Sequence, residues 1–360
     1  MFKKSLAALA VLGAFAGAAC AANVSLYGIA DAGLRYNHYE GAVDKHSFTL
    51  DTGASSASRF GLKGSEDLGN GMTVGFQLEN GFNIDDGKLA NGGRLFGRQA
   101  SLYVKGDFGT VAFGRMGGLA SSCGSYDVFW GIGDAFGGQY KIIEGLAISD
   151  RYDNMVTYQT PKFSGIQATV QYSFNEDTAN KNREGSSAVN RYAAAGVTGE
   201  FGAVQTAVAY EFQNYQSIGG TQTKDGHTVY AGANYDCGFA KTFLMGQYFK
   251  NVSSTSAIAD LDAADAPSVG PEGITGYGLG LGTVVPLGAA KLTVAAYYTD
   301  AELEDTNTDY TSVAFGGKYE YFISKRTSVY AAAGFFQYDQ DGKADKVNAY
   351  TGLAGLTHRF

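Results

Sequence analysis

Residues 166–174 read IQATVQYSF, in which Ile166, Ala168, Val170, Tyr172 and Phe174 alternate with Gln167, Thr169, Gln171 and Ser173. Successive side chains of a strand point to opposite faces, so this segment has one apolar and one polar face. The pattern recurs from end to end. Ser25, Tyr27, Asp31 and Arg35 alternate with Val24, Leu26, Ala30 and Leu34, and Thr73, Gln77 and Glu79 with Val74, Phe76 and Leu78. Residues 204–213, 277–285 and 311–321 repeat it, whereas 98–105 and 191–199 show no clean alternation. A chain built this way must find something for many apolar strand faces to touch.

The connections narrow the choice. Short ones read EDLGNG (66–71), GDFG (106–109), TPKFSG (160–165), GEFGA (199–203), DCGFA (236–240), PLGAA (286–290) and FISKR (322–326). Longer polar stretches interleave with them near 36–57, 83–96, 116–150, 175–190, 214–227, 251–275, 301–310 and 339–346. These connections join about sixteen strands. Pro161, Pro267, Pro271 and Pro286 are all expected in connections, as their missing N–H requires. A soluble sandwich would press the apolar faces together. A membrane barrel would turn them to lipid and enclose the polar faces. Alternation of short and long connections favours the barrel. So do strands of about 10 residues, enough for a tilted crossing. Aromatic residues near segment ends (Tyr27, Phe60, Tyr103, Tyr172, Phe174, Tyr297, Tyr298, Phe360) fit interfacial girdles. After the amino-terminal segment, no run reaches the roughly 18 apolar residues that a membrane helix needs. An open sheet would leave backbone groups unsatisfied in lipid, so the sheet must close, and at about sixteen strands it encloses water. The expected fold is all-β, a transmembrane antiparallel barrel.

Residues 1–21 are expected to be a cleaved signal peptide. Lys3 and Lys4 precede the apolar run Leu6 to Gly17, and Ala19-Cys20-Ala21 is a small-residue cleavage site before Ala22. Cys20 could instead be a lipidated terminus. Residues 22–360 then form one barrel domain. Without the signal, Lys+Arg falls from 27 to 25 against 35 Asp+Glu, a net charge of about −10. No long basic run remains, which argues against nucleic acid. Cys123 and Cys237 are expected to be unpaired, because one falls in a long loop and the other in a short turn. No Cys/His cluster has metal-site spacing, and no metal or cofactor is expected.

Three stretches are specific in combination: SRFGLKGSEDLGNGMTVGFQLENGF (58–82), GDFGTVAFGR (106–115) and RYDNMVTYQTPKFSG (151–165). With NVSLYGIADAGL (23–34) and TGLAGLTHRF (351–360), they resemble the general porins of Gram-negative outer membranes, most closely the betaproteobacterial and neisserial branch. The resemblance covers essentially the whole mature chain. It implies sixteen strands, a homotrimer in outer-membrane lipid and lipopolysaccharide, and a third long loop folded into the lumen.

That loop is 116–150, and its Val128, Phe129, Trp130, Ile132 and Phe136 are unusual for a free surface loop. On strand 58–65, Arg59 and Lys63 share the face opposite Phe60 and Leu62. Arg151 and Asp153 are expected opposite Tyr152, Val156 and Tyr158, and Arg98 opens strand 98–105. The resemblance carries a constriction arginine cluster onto Arg59, Arg98 and Arg151. Asp127 and Asp134 on the loop, with Glu79 on its strand, are the expected acidic partners across the pore, and opposed charges would filter solutes by a transverse field. The other reading is that lumen walls are charged simply because water is there. Arg115 is expected to fix the root of the loop. Phe360, the last residue, resembles the signal that the barrel-assembly machinery reads on outer-membrane proteins.

No catalytic residue is expected. His38, His46 and His227 lie in loops, no GxSxG motif is present, and the pairs Glu66-Asp67 and Asp85-Asp86 sit in turns. The expectation is a multi-pass outer-membrane channel for passive diffusion of small hydrophilic solutes and ions. A substrate-selective channel for a sugar, phosphate or organic acid is the alternative, and a non-channel barrel is more distant.

Overall fold

The structure is a computed structural model that describes residues 23–137, 149–174, 191–215, 224–259 and 261–360. The expected signal peptide and the connection 175–190 lie outside these residues. One antiparallel sheet of seventeen strands closes on itself. In chain order the strands are β1 (Ser25–Glu40), β2 (Lys45–Thr52), β3 (Arg59–Gly69), β4 (Met72–Gly81), β5 (Gln99–Gly106) and β6 (Gly109–Gly117). Next come β7 (Arg151–Gln159), β8 (Ile166–Ser173), β9 (Arg191–Phe201), β10 (Val204–Asn214), β11 (Gly226–Asp236) and β12 (Lys241–Val252). The last five are β13 (Ile274–Leu287), β14 (Ala290–Leu303), β15 (Thr308–Phe322), β16 (Thr327–Gln340) and β17 (Val347–Arg359).

Sixteen strands make the wall, closed where β1 pairs with β17 from Ile29↔Arg359 to Glu40↔Asn348. The extra strand is β2. It pairs with the upper part of β1, Ala32↔Thr52 to Tyr39↔Lys45, while β3 pairs with the lower part. Residues 36–57 were expected as loop and instead hold most of a hairpin. His46, Phe48 and Leu50 alternate with Ser47, Thr49 and Asp51, a strand pattern inside a polar stretch. The connection expected over 301–310 contracts to 304–307, because β14 and β15 run on. Pro286 lies near the end of β13, paired with Lys291, rather than in a connection. The short turns fall where the sequence puts them. Asn70 and Gly71, with φ of 52° and 74°, link β3 to β4, which is the Asn-Gly geometry of a two-residue hairpin.

Burial is inverted relative to a water-soluble protein. In the 166–174 segment Ile166, Val170, Tyr172 and Phe174 are exposed, while Thr169, Gln171 and Ser173 are buried. The apolar faces therefore point outward, to lipid. The segments without clean alternation are strands too, β5 and β9, and in β9 Ala193, Ala194, Ala195 and Gly196 are too small to carry a contrast. Three tyrosines expected in the girdles turn inward. Tyr27 donates to Glu79 (2.9 Å), Tyr297 donates to Asp134, and the Tyr103 hydroxyl lies over Gly75. A phenol can serve either face, so period alone does not place it.

β7 contains a bulge. Gly114 and Met116 of β6 face Met155 and Tyr152, so β7 carries one extra residue, and Asn154 has φ 53°. The expected placement of Tyr152 beside Val156 and Tyr158 fails for this reason. Tyr152 is buried and stacks on Tyr192 at 3.9 Å. Cys123 and Cys237 are both free.

The chain end seals the seam. Gly28 and Phe360 exchange both backbone hydrogen bonds at 3.0 Å. A Cβ on Gly28 would overlap the Phe360 ring and approach the Arg59 carbonyl at 2.7 Å. Gly28→Val should therefore cost about 1–3 kcal/mol through overpacking. The expected outcome is a smaller fraction of compact, heat-modifiable barrel on a gel after refolding. Gly352→Ala, where nothing lies within 4 Å of the added carbon, should refold like the parent.

Candidate functional site

The described part of the third long loop, 118–137, runs inside the barrel. Its root is held by charge. Arg115 donates to the Gly97 carbonyl (2.8 Å) and to Asp153 (2.9 Å), and Arg94 donates to both Asp153 oxygens at 2.9 Å. Asp153 is buried, so two guanidinium groups sharing it supply the charge compensation that a carboxylate needs there. Arg115 thus sits at the root, as the sequence led us to expect.

Beyond the root, the loop is anchored to a buried carboxylate. Glu211 on β10 accepts from the Ala120 amide (2.9 Å), Tyr192 (2.6 Å), Tyr230 (3.1 Å) and Ser149 (3.1 Å). Tyr192 in turn accepts the Leu119 amide at 2.9 Å. Sequence reasoning missed this cluster. Its signal was an acid on a lumen-facing position, with tyrosines at diagonal positions on β9 and β11, since Glu211 pairs with Ala194 and Thr228.

The loop's aromatic residues then pack on the wall. Phe129 is fully buried, 5.0 Å from the Tyr230 ring and edge-on to Trp130 at 5.4 Å. Trp130 opens the short helix Trp130–Gly133 and donates to the Ala120 carbonyl. Gly232 makes room, because a Cβ there would lie 2.8 Å from the Gly133 Cα. Asn234 donates to the Ile132 carbonyl at 2.9 Å. The apolar stretch of the loop is therefore a packing surface.

The expected charged residues divide into two groups. Arg59, at the start of β3, donates to Ser56 (2.9 Å), and the charges of both Arg98 and Arg151 bear on it. Arg98 donates to Glu79 at 2.7 Å, and Glu79 also accepts from Tyr27. Arg151 is 3.5 Å from Asp150, whose side chain is exposed. Lys63 lies 5.3 Å over the Tyr27 ring on the same face. Arg59, Lys63, Arg98, Arg151 and Glu79 thus occupy one region of the wall.

Asp127 and Asp134 lie elsewhere, tucked under the loop. Asp127 accepts from the amides of Phe129 (3.3 Å) and Trp130 (3.4 Å), and burial raises its carboxyl to about 6 despite those bonds. Asp134 is buried and takes the Tyr297 hydroxyl. Asp127 thus holds the loop's own backbone, and Asp134 ties the loop to β14.

Comparison with known proteins accords with this architecture. A profile of the family described as Gram-negative porin matches residues 8–341. An outer membrane porin protein of Bordetella pertussis is 34% identical, over 99% of this chain and 100% of that one. The major outer membrane protein P.IB of Neisseria meningitidis is 29% identical, over 99% and 100%. Among solved structures, an anion-selective porin from Comamonas acidovorans superposes with a TM-score of 0.70 at 24% identity, covering 94% of this chain and all of that one. The trimer form of OmpT of Vibrio cholerae superposes with a TM-score of 0.61 at 18% identity, covering 94% and 100%. A closed barrel with apolar faces outward, a loop packed inside it and relatives spanning its length place this chain in the Gram-negative porin family of the outer membrane.

Proposed function

We propose that the protein is a general diffusion channel for small hydrophilic solutes and ions, narrowed by the 118–137 segment and biased toward anions by Arg59, Lys63, Arg98 and Arg151. One observation carries the preference: the basic residues converge on the wall, while Asp127 and Asp134 are engaged beneath the loop. Glu79 offsets one arginine, and the rest of the cluster keeps a positive field. At physiological salt the Debye length is about 8 Å, so charges lining a narrow waist act on a passing ion while distant loop charges are screened. Arginine stays charged at any working pH. The net negative charge of the whole chain does not oppose this reading, because much of it lies in loops. The Comamonas porin of the same fold, described as anion-selective, supports it.

The working unit in this proposal is a homotrimer in lipid and lipopolysaccharide, with Phe360 read by the assembly machinery. The large apolar residues exposed on β1 to β3, among them Leu26, Leu34, Phe48 and Leu50, fit a subunit contact.

Two experiments test the charge filter. Arg59→Glu with Arg151→Glu should move the zero-current potential in a salt gradient toward cations, whereas changing Glu302 and Glu304 should leave it in place. An unchanged potential in the arginine pair would remove these residues from the filter. The second uses pH. Asp127 takes up a proton as pH falls through about 6, so its negative charge is present at pH 7 and largely lost at pH 5. Selectivity should shift toward anions between those values, and the part due to Asp127 should vanish in Asp127→Asn.

A further inference from the structure

A second long connection also enters the barrel. Residues 253–273, described apart from 260, join β12 to β13 on the side of the long loops, the outer side of the barrel. The short helix Ser256–Ala259 buries Ala257 and Ile258, and Leu261 after it is buried as well. They belong to one buried cluster with Leu303, Tyr310, Tyr338 and Val347. Those four lie at the upper ends of β14 to β17, in phase with buried residues such as Thr299, Ser312, Ser328 and Thr357 on the lumen faces. Thr255 shares a hydrogen bond with Tyr310 at 2.9 Å. The segment therefore packs on the inside of the wall.

Its far end is fastened to the first hairpin. The Tyr39 hydroxyl donates to Asp265 (2.9 Å) and accepts the Asp262 amide (3.1 Å). The Ala42 amide donates to Asp265 at 2.9 Å, and Lys45 pairs with Asp262. The near end is fixed as well, since Asn251 donates to the Glu272 carbonyl (2.6 Å) and the Glu272 amide donates to Asp305 (2.9 Å). In strand order β1 lies beyond β17, so the segment reaches across the inner faces of β14 to β17 to its catch.

We infer that this segment is a latched strap over the outer lumen, and that its catch on Tyr39, Gly41 and Ala42 limits the size of solute admitted. Two inward segments then share the section of the channel. The constriction loop leans on β10 to β14, and the strap covers β14 to β17 nearer the outside. Charge selection and size selection fall on different residues, because the arginine cluster is not part of the catch. Gly41 shows how tightly the catch closes. A Cβ there would overlap the Asp265 carboxylate and lie 2.7 Å from the Tyr39 ring. Its φ is not in the left-handed region, so alanine meets no backbone strain, and the obstacle to it is the latch.

The size limit rests on the diffusion-channel reading, and the test separates the two. Gly41→Ala and Tyr39→Phe proteins would be reconstituted into vesicles, and swelling rates compared for a monosaccharide and a trisaccharide. The trisaccharide rate relative to the monosaccharide should rise several-fold in both variants, with the zero-current potential unchanged. An unchanged ratio in both, in vesicles that admit the monosaccharide, overturns the latch and leaves the channel standing. Parent vesicles closed to the monosaccharide overturn the channel reading and the size limit together. A readout independent of transport follows the strap itself. Leu261→Cys, in a Cys123→Ser, Cys237→Ser background, should react with a bulky maleimide faster when Gly41→Ala is added. Equal rates would show that the contact at Gly41 does not hold the strap down.

Discussion

The pairing of β1 with β17 is the constraint from which the rest of the structure follows. A backbone group left unpaired in hydrocarbon costs several kcal/mol, so a sheet in lipid has no tolerable edge. Closure between Ile29↔Arg359 and Glu40↔Asn348 removes that edge, and Phe360 completes it at Gly28. Once the ring is shut, the outward faces must be apolar and the inward faces can carry the polar residues. The same ring leaves an interior too wide for wall side chains to fill. Inward-folded segments supply what the wall cannot, and each needs an anchor of its own. Glu211, Asp153 and Asp265 are those anchors, three carboxylates whose partners are backbone amides, phenols and guanidinium groups.

Much of the wall was legible in the sequence because its signal is local. Alternation with period two and Asn-Gly in a hairpin turn each report on a few neighbouring residues. The failures came where the information is not local. Phenols at Tyr27 and Tyr297 have a polar tip and an apolar ring, and only the partners Glu79 and Asp134 decide their side. Residues 45–52 carried a strand pattern that flanking polar residues hid.

The site was legible in the same uneven way. Arg59 and Arg151 open strands where pattern and resemblance both point, whereas Arg98, just before β5, was carried by the resemblance alone; the charges of Arg98 and Arg151 both bear on Arg59. The loop acids could not be assigned from sequence, because an aspartate in a loop reads alike whether it faces water or binds the loop's own amides. Glu211 was invisible for a related reason. Its partners come from β9, from β11 and from both ends of the third long loop, and no spacing along the chain encodes that meeting.

The bulge in β7 carries a consequence for how this chain can change length. In a regular strand adjacent residues face opposite ways, and here the bulge sets Asp153 and Asn154 together opposite Arg115, while Met155 and Tyr152 face Gly114 and Met116. The extra residue lets Tyr152 stack on Tyr192 while Asp153, its neighbour, receives Arg94 and Arg115. Removing Asn154 would restore a regular ladder, in which Asp153 alone stands opposite Arg115 and Tyr152 keeps its place opposite Met116. Substitution at Asn154 has to accept a φ of 53°, whereas deletion takes that left-handed position out of the wall. β7 is thus a place where a chain of this family can differ by one residue in length without a change of partners on either side of the bulge.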